Sequence, residues 1–334
     1  MKKLIATLIT ATVALGACSA FAACSAEDDG WDGELIEITC LNENAQKETK
    51  KVPLNPNRVA ILDYAVLDMM DLYGVGDKVV SSCSGTLDYL QDYWDKMSSG
   101  EIVDLGNLKQ YSMEKLQQSE PDIIFIGGRQ SANYAAMEEI APVVYLAATE
   151  GNLVETTLEN AETVRKIFGK TDAEVQAIFG DYDFDGRIAA LKEVSGANTA
   201  TPQNAMVLMY NSSESITAIG SNGRCSLIST EVGFKLQEVA DSGSQHGSQF
   251  NWETIMELNP DYIFVLNRGF ITESTDNNSV LNDIVNKLTK PTTAAQNNHI
   301  IVLNSPDAWY TASGGLQALN TMFEDLEAAL LSNN

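Results

Sequence analysis

One stretch of this chain occurs twice in altered form, and the repeat narrows what the chain can fold into. Ser112–Arg129 lies over Asn251–Arg268 without a gap. Pro121-Asp122-Ile123-Ile124-Phe125-Ile126-Gly127-Gly128-Arg129 faces Pro260-Asp261-Tyr262-Ile263-Phe264-Val265-Leu266-Asn267-Arg268, so that the proline, the aspartate, Ile124 with Ile263, the phenylalanine and the arginine coincide. Upstream, Glu114 meets Glu253 and Leu116 meets Ile255, in segments whose apolar spacing suits a short helix. Each copy reads as helix, Pro-Asp turn, buried strand and arginine. The runs Ile123–Ile126 and Ile263–Leu266 are short and apolar throughout, the pattern of strands covered on both faces in a parallel sheet flanked by helices. Ligands of such sheets sit beyond the carboxyl ends of the strands, and the repeat puts Arg129 and Arg268 there.

Further strands are expected at Val59–Leu62, Val143–Leu146, Ala205–Met209, Ile216–Ile219 and Ile300–Leu303, and a helix at Tyr64–Tyr73 ending at Gly74. Between the repeat copies, Thr171 with Glu174 three residues on is a capping-box signature. Val175, Ile178, Phe179, Ile188, Leu191 and Val194 then give a partial helical stripe over Thr171–Ser195. Such a helix, about 24 residues, would run roughly 36 Å; Gly180 and Gly186 weaken it. One long helix between two lobes limits hinge motion and favours a largely preformed cleft. The 334 residues, 44% hydrophobic, suffice for two lobes. The expected fold class is α/β, with two Rossmann-like lobes of parallel sheet joined by a long backbone helix. The expected divisions are a signal peptide (1–17), a lipidated N-terminus and flexible tether (18–33), an N-terminal α/β lobe (34–170), the connecting helix (171–196) and a C-terminal α/β lobe (197–334).

The signal peptide is read from Lys2 and Lys3 ahead of the uncharged stretch Leu4–Ala17. At about 14 residues that stretch falls short of a bilayer span. Leu15-Gly16-Ala17-Cys18 resembles a lipobox, with Cys18 the acylated residue; Phe21-Ala22-Ala23-Cys24 is a second candidate with a poorer residue at minus three. The acidic, small-residue segment Ser25–Gly33 suits a solvated tether.

A formal net charge of -25 argues against nucleic-acid binding, because phosphate contacts need clustered cations. Beyond Cys18 and Cys24, the remaining Cys40, Cys83 and Cys225 are odd in number and lack CxxC spacing, so neither a disulfide framework nor a zinc site is indicated. Asp181-Tyr182-Asp183-Phe184-Asp185-Gly186 copies the first half of an EF-hand loop, but Lys192 stands where a bidentate carboxylate is needed. A solvated acidic helix face is the competing account. A serine hydrolase finds no GxSxG and only His246 and His299 as bases. His299 opens a buried strand and reads as structural. Two histidines in the whole chain also argue against zinc or manganese as the ligand.

A third arginine, Arg224, sits in the glycine-rich turn Gly220-Ser221-Asn222-Gly223-Arg224 after Ile216–Ile219. With Arg129 and Arg268 it makes a cationic trio in an acidic protein. Guanidinium groups stay charged and donate forked hydrogen bonds to oxygen anions, although a lone arginine would more simply pair with one of the 46 acidic residues. His246, in the Gly/Ser-rich segment Ser242–Ser248, stands in an expected exposed loop where an imidazole can ligate iron. Tyr310, at the start of Tyr310-Thr311-Ala312-Ser313-Gly314, offers a phenolate oxygen, a donor suited to hard iron(III).

From Asn55-Pro56-Asn57-Arg58-Val59 to Ser313-Gly314 the chain resembles the helical-backbone (class III) periplasmic binding proteins, specifically the lipoproteins that bind ferric catecholate siderophores of the petrobactin and hydrolysed-enterobactin type. The matching motifs are Gly128-Arg129-Gln130, Asn222-Gly223-Arg224, His246-Gly247, Asn259-Pro260-Asp261-Tyr262-Ile263-Phe264-Val265 with Arg268, and Tyr310-Thr311-Ala312-Ser313-Gly314. Gly180 and Gly186 depart from the uninterrupted backbone helix usual in that family. The resemblance implies that Arg129, Arg224 and Arg268 line an anionic-ligand pocket, and that His246 and Tyr310 complete the shell of an iron whose siderophore offers only four donors. It further implies capture without chemistry and no intrinsic cofactor, in a monomer held to the membrane by a lipid anchor. The partner would be an ABC importer permease that reads acidic residues on each lobe. The alternatives are another chelate (a hydroxamate siderophore, haem or cobalamin) or a calcium-dependent surface interaction protein using the Asp181 segment.

Overall fold

The short apolar runs become the middles of two sheets. The computed structural model describes residues 33–332, apart from positions 86, 149–151, 172, 175, 176, 178, 179, 181, 222, 223, 238–247 and 274. The strands are β1 (Leu35–Leu41), β2 (Lys47–Pro53), β3 (Val59–Leu62), β4 (Val79–Ser82), β5 (Val103–Asp104), β6 (Gly106–Asn107), β7 (Gln110–Tyr111), β8 (Ile123–Ile126), β9 (Val143–Tyr145), β10 (Asn204–Ser212), β11 (Ser215–Ile219), β12 (Lys235–Leu236), β13 (Ser248–Gln249), β14 (Tyr262–Asn267) and β15 (Ile300–Val302). The first sheet has the order β2-β1-β9-β8-β3-β4-β5, parallel from β9 to β5 with the β1–β2 hairpin antiparallel at one edge. The second has the order β13-β11-β10-β14-β15; β12, β14 and β15 run parallel to β10, while β11 runs against it. Every residue of β3, β8 and β14 is buried, which is why these strands read as continuous apolar runs. The β1–β2 hairpin escaped notice because exposed Lys47, Thr49 and Lys51 alternate with half-buried Glu48 and Lys50 along a sheet edge, where charge blocks further pairing.

The two copies of the repeat do the same local work. Ser112 caps the helix Met113–Gln118, its Oγ accepting from Lys115 N at 3.2 Å, and Asn251 caps Trp252–Leu258, its Oδ1 accepting from Thr254 N at 2.8 Å. Asp122 Oδ2 accepts from the backbone N of Asn57 and Arg58 at 2.9 Å, ahead of β3, and Asp261 Oδ2 accepts from Asn204 N at 2.9 Å, at the start of β10. Each aspartate thus clamps the entry of the neighbouring parallel strand and sets the register on which both sheets depend.

The expected capping box forms, with Thr171 N donating to Glu174 Oε2 at 2.7 Å and Glu174 N to Thr171 Oγ1 at 3.3 Å. The single helix expected over Thr171–Ser195 does not run through. Asp183 takes a left-handed conformation (φ 39°) and caps a separate helix, Phe184–Ser195, its Oδ1 accepting from Gly186 N at 3.3 Å. A Cβ on Gly186 would lie 2.3 Å from Asp183 Oδ2, so this cap requires the glycine. The acidic segment that copies half an EF-hand is therefore a helix start. Among the described residues no three or more His, Cys, Asp or Glu side chains gather to hold a metal; Asp181 lies outside them. No described helix is long and apolar enough to cross a membrane. Cys40, Cys83 and Cys225 are buried thiols. His299 stacks on Tyr262 at 4.1 Å between centroids, the structural role expected of it.

The C-terminal helix Leu316–Leu330 packs against the helices Tyr64–Leu72, Leu153–Ile167 and Phe184–Ser195 as well as against the short helix Pro306–Tyr310. Its N-terminus has no cap of its own; Asp68, from Tyr64–Leu72, supplies one. Gln317 N donates to Asp68 Oδ1 and Ala318 N to Oδ2, both at 2.9 Å, and Tyr89 OH donates to Oδ2 at 2.9 Å. A Cβ on Gly315 would come within 2.6 Å of Asp68 Cγ, so glycine is needed there too. Burial pushes the Asp68 carboxyl up to about 7 against the pull of these hydrogen bonds. A folded value above the ordinary carboxylate value of about 4 means the folded chain binds this proton more tightly than the unfolded one. The group's stabilisation is therefore full below the unfolded value and is lost as pH rises through about 7. In urea unfolding, moving from about pH 7.5 to about pH 5.5 should stabilise wild type by roughly 1–2 kcal/mol more than Asp68→Asn; equal changes in the two proteins would show that Asp68 stays ionised.

Candidate functional site

Arg268 is the first residue of the helix Arg268–Glu273, directly at the carboxyl end of β14. The neighbouring β10 ends beside it, with Tyr210 opposite Asn267, and brings Asn211 into place: Arg268 Nη1 donates to Asn211 Oδ1 at 2.8 Å. The Nε of the same guanidinium donates to the Tyr310 hydroxyl at 3.0 Å. Tyr310 ends the short helix Pro306–Tyr310 that follows β15. Arg224, buried in the turn after β11, donates from Nη1 to the Tyr310 carbonyl at 2.7 Å, and its Cζ lies 4.2 Å from the centroid of the Tyr310 ring. The Cζ of Arg268 stands 5.4 Å from the same centroid. One guanidinium thus lies on the face of the phenol and another is bonded to its oxygen. Next to Arg224, the buried Cys225 holds a left-handed backbone (φ 65°), a costly conformation for a residue with a Cβ and one that clusters at functional sites.

Arg129 comes from the other sheet, in the turn Gly128–Asn133 beyond β8, and is exposed. The matched arginines stand differently because β14 runs on to Asn267 whereas β8 stops at Ile126, leaving Gly127-Gly128 before Arg129. Asp63, at the end of β3, caps the helix Tyr64–Leu72 from behind this turn; Ala65 N donates to its Oδ1 at 2.8 Å. Burial pushes its carboxyl up to about 6, against backbone hydrogen bonds from Ala65 and Val66 and the charge of Arg129. The charge of Arg129 also reaches Tyr310. Burial opposes ionisation of the Tyr310 phenol, but the Arg268 hydrogen bond and the charges of Arg224, Arg268 and Arg129 outweigh it, so the phenol titrates below its ordinary range.

Arg224, Arg268 and Tyr310 therefore meet directly and the charge of Arg129 reaches Tyr310, although the four come from separate segments of the chain. His246 and Cys18 lie outside the described residues. Asn211 and Asp63 were missed. Both stand at the carboxyl ends of parallel strands, so the rule that picked out Arg129 and Arg268 points to them as well. The arrangement offers fixed cations and one oxygen donor with phenolate character, and so it suits an oxygen-rich anion.

Two sheets presenting such groups at their strand ends define a solute-binding protein. Residues 59–306 match the periplasmic binding protein family, and the chain belongs to that family, whose members are binding proteins rather than enzymes. It is similar to the petrobactin-binding protein YclQ of Bacillus subtilis (strain 168), with 31% identity over 330 residues and 99% of each chain covered. The crystal structure of YclQ superposes with a TM-score of 0.73, covering 88% of this chain and 99% of that one. The periplasmic catecholate-siderophore binding protein VctP of Vibrio cholerae is 26% identical, with a TM-score of 0.74 over 88% of this chain and 100% of its own. The ferric-anguibactin-binding protein FatB of Vibrio anguillarum (strain ATCC 68554 / 775) is 24% identical over 81% of each chain.

Proposed function

We propose that this chain captures an anionic iron(III)-siderophore complex outside the cytoplasm and delivers it to an ABC-type importer. The observation that carries the reading is the Tyr310 phenol between Arg224 and Arg268, held below its ordinary titration range. Iron(III) is hard and favours phenolate oxygen, and three guanidinium groups complement the charge of deprotonated catecholates. The preferred ligand is a tetradentate ferric catecholate, whose open iron positions Tyr310 and His246 fill, while Arg129, Arg224 and Arg268 hold the anion. That the 31% identical YclQ is a petrobactin-binding protein supports this choice. The iron is cargo, not a resident cofactor. Lipid attachment at Cys18, supported by Leu15-Gly16-Ala17-Cys18, keeps the monomer at the membrane beside the permease.

The test is tryptophan-fluorescence titration of the soluble protein with a tetradentate ferric bis-catecholate. Tyr310→Phe should bind roughly tenfold more weakly and lack the absorption change that phenolate coordination gives in wild type. His246→Ala should lose a second, separate absorption change. Saturable binding of a ferric hydroxamate, haem or cobalamin with no response to the catecholate would keep the carrier role and overturn this ligand chemistry.

A further inference from the structure

Tyr310 ends a helix of one turn, Pro306–Tyr310, which is too short to hold its own geometry. Its N-cap residue, Ser305, makes no side-chain cap hydrogen bond. The cap comes from Asp325, a buried carboxylate on the C-terminal helix. Ser305 N donates to Asp325 Oδ2 at 2.9 Å, Ser305 Oγ donates to Oδ1 at 3.1 Å, and Trp309 Nε1 donates to Oδ2 at 2.9 Å. One carboxylate thus grips both ends of the turn, and Trp309 is itself fully buried. Tyr310, one residue on and roughly 100° further round the helix, carries the phenol to Arg268 and Arg224. The helix bearing Asp325 is in turn fixed at its N-terminus by Asp68 of the Tyr64–Leu72 helix, in the half of the chain that carries Arg129.

We propose that Asp325 is a positioning residue for the Tyr310 phenol, with Asp68 locking the helix that carries Asp325, so that the phenol of one sheet is registered against the arginine of the other. The chain of contacts runs from Asp68 through Leu316–Leu330 to Asp325, then through Ser305 and Trp309 to Tyr310. Asp68, Asp325 and Trp309 are buried and hydrogen-bonded, with Ser305 half-buried between them, and such networks fix one geometry because a half-made version is costly. The consequence for ligand binding rests on the reading that Tyr310 meets the iron; the positioning itself does not.

The test therefore has two readouts on the full folded chain. In the ligand-free protein, an ultraviolet difference titration of wild type against Tyr310→Phe isolates this phenol among the 11 tyrosines. Asp325→Asn should move its ionisation up towards the ordinary phenol range, since displacement from Arg268 and Arg224 removes what holds it low; Trp309→Phe, which keeps the ring packing but deletes the N–H, should move it the same way by less. An unmoved transition in both folded variants overturns the proposal, whatever their loss of stability. With the ferric bis-catecholate, Asp325→Asn should weaken binding roughly tenfold in wild type and less than about twofold in a Tyr310→Phe background. Equal losses in the two backgrounds would make Asp325 a general structural residue and overturn the proposal. If the phenol moves but wild type binds no ferric complex, the ligand reading fails and the positioning stands.

Discussion

Arg268→Ala should weaken binding of the ferric bis-catecholate by roughly a hundredfold. Truncating one member of a desolvated, hydrogen-bonded charge pair costs about 2–5 kcal/mol, mostly in the dissociation rate, and a hundredfold lies within that range at about 1.4 kcal/mol per factor of ten. Arg268 works in two ways. Its Nη1 is steadied by Asn211 and its Nε by Tyr310, so the guanidinium meets a ligand with little freedom left to lose. It is also the main group that lowers the Tyr310 phenol, and the alanine variant should lose phenolate character at the iron along with the charge. Arg268→Lys, which keeps the charge but not the planar fork, should fall between the two proteins. A titration in which Arg268→Ala binds as tightly as wild type would remove Arg268 from the site and would leave the arginine trio without its best-placed member.

The largest effect on stability is expected at the phenylalanines of the repeat. Phe125 and Phe264 are both fully buried; Phe125 stacks with Phe168 at 6.3 Å between centroids, and Phe264 meets Phe234 edge-on at 5.1 Å. Truncating either to alanine should cost about 3–5 kcal/mol. The two lie in different sheets but in one continuous buried cluster, to which the C-terminal helix contributes Leu316, Leu319, Phe323 and Leu326. Both variants should therefore lower one and the same urea unfolding transition, without splitting it. Two separate transitions, with each variant shifting only one, would show that the lobes unfold independently and that the shared cluster adds little cooperativity.

Much of this molecule is legible in short stretches of sequence because the underlying physics is local. A strand covered on both faces must be apolar along its buried run, so Ile123–Ile126 and Ile263–Leu266 announce themselves. A helix N-terminus needs an acceptor within three residues, so Thr171 with Glu174 is visible as a cap. The direction of parallel strands then sends Arg129 and Arg268 to the carboxyl edge of each sheet. The same locality misled at Thr171–Ser195, where apolar spacing promises one helix, but the cap that Asp183 forms with Gly186 starts a new one.

The sequence by itself determined the buried apolar strands at the middle of the two sheets and the placing of an arginine beyond the end of each repeated strand. Only the tertiary structure decided what those arginines meet. Arg224 and Tyr310 stand 86 positions apart, and Asp68 and Ala318 stand 250 apart. No periodicity links such residues. They find each other because a buried carboxylate and the uncapped N–H groups of a helix must satisfy one another somewhere, and the packing of Leu316–Leu330 across Tyr64–Leu72 settles where.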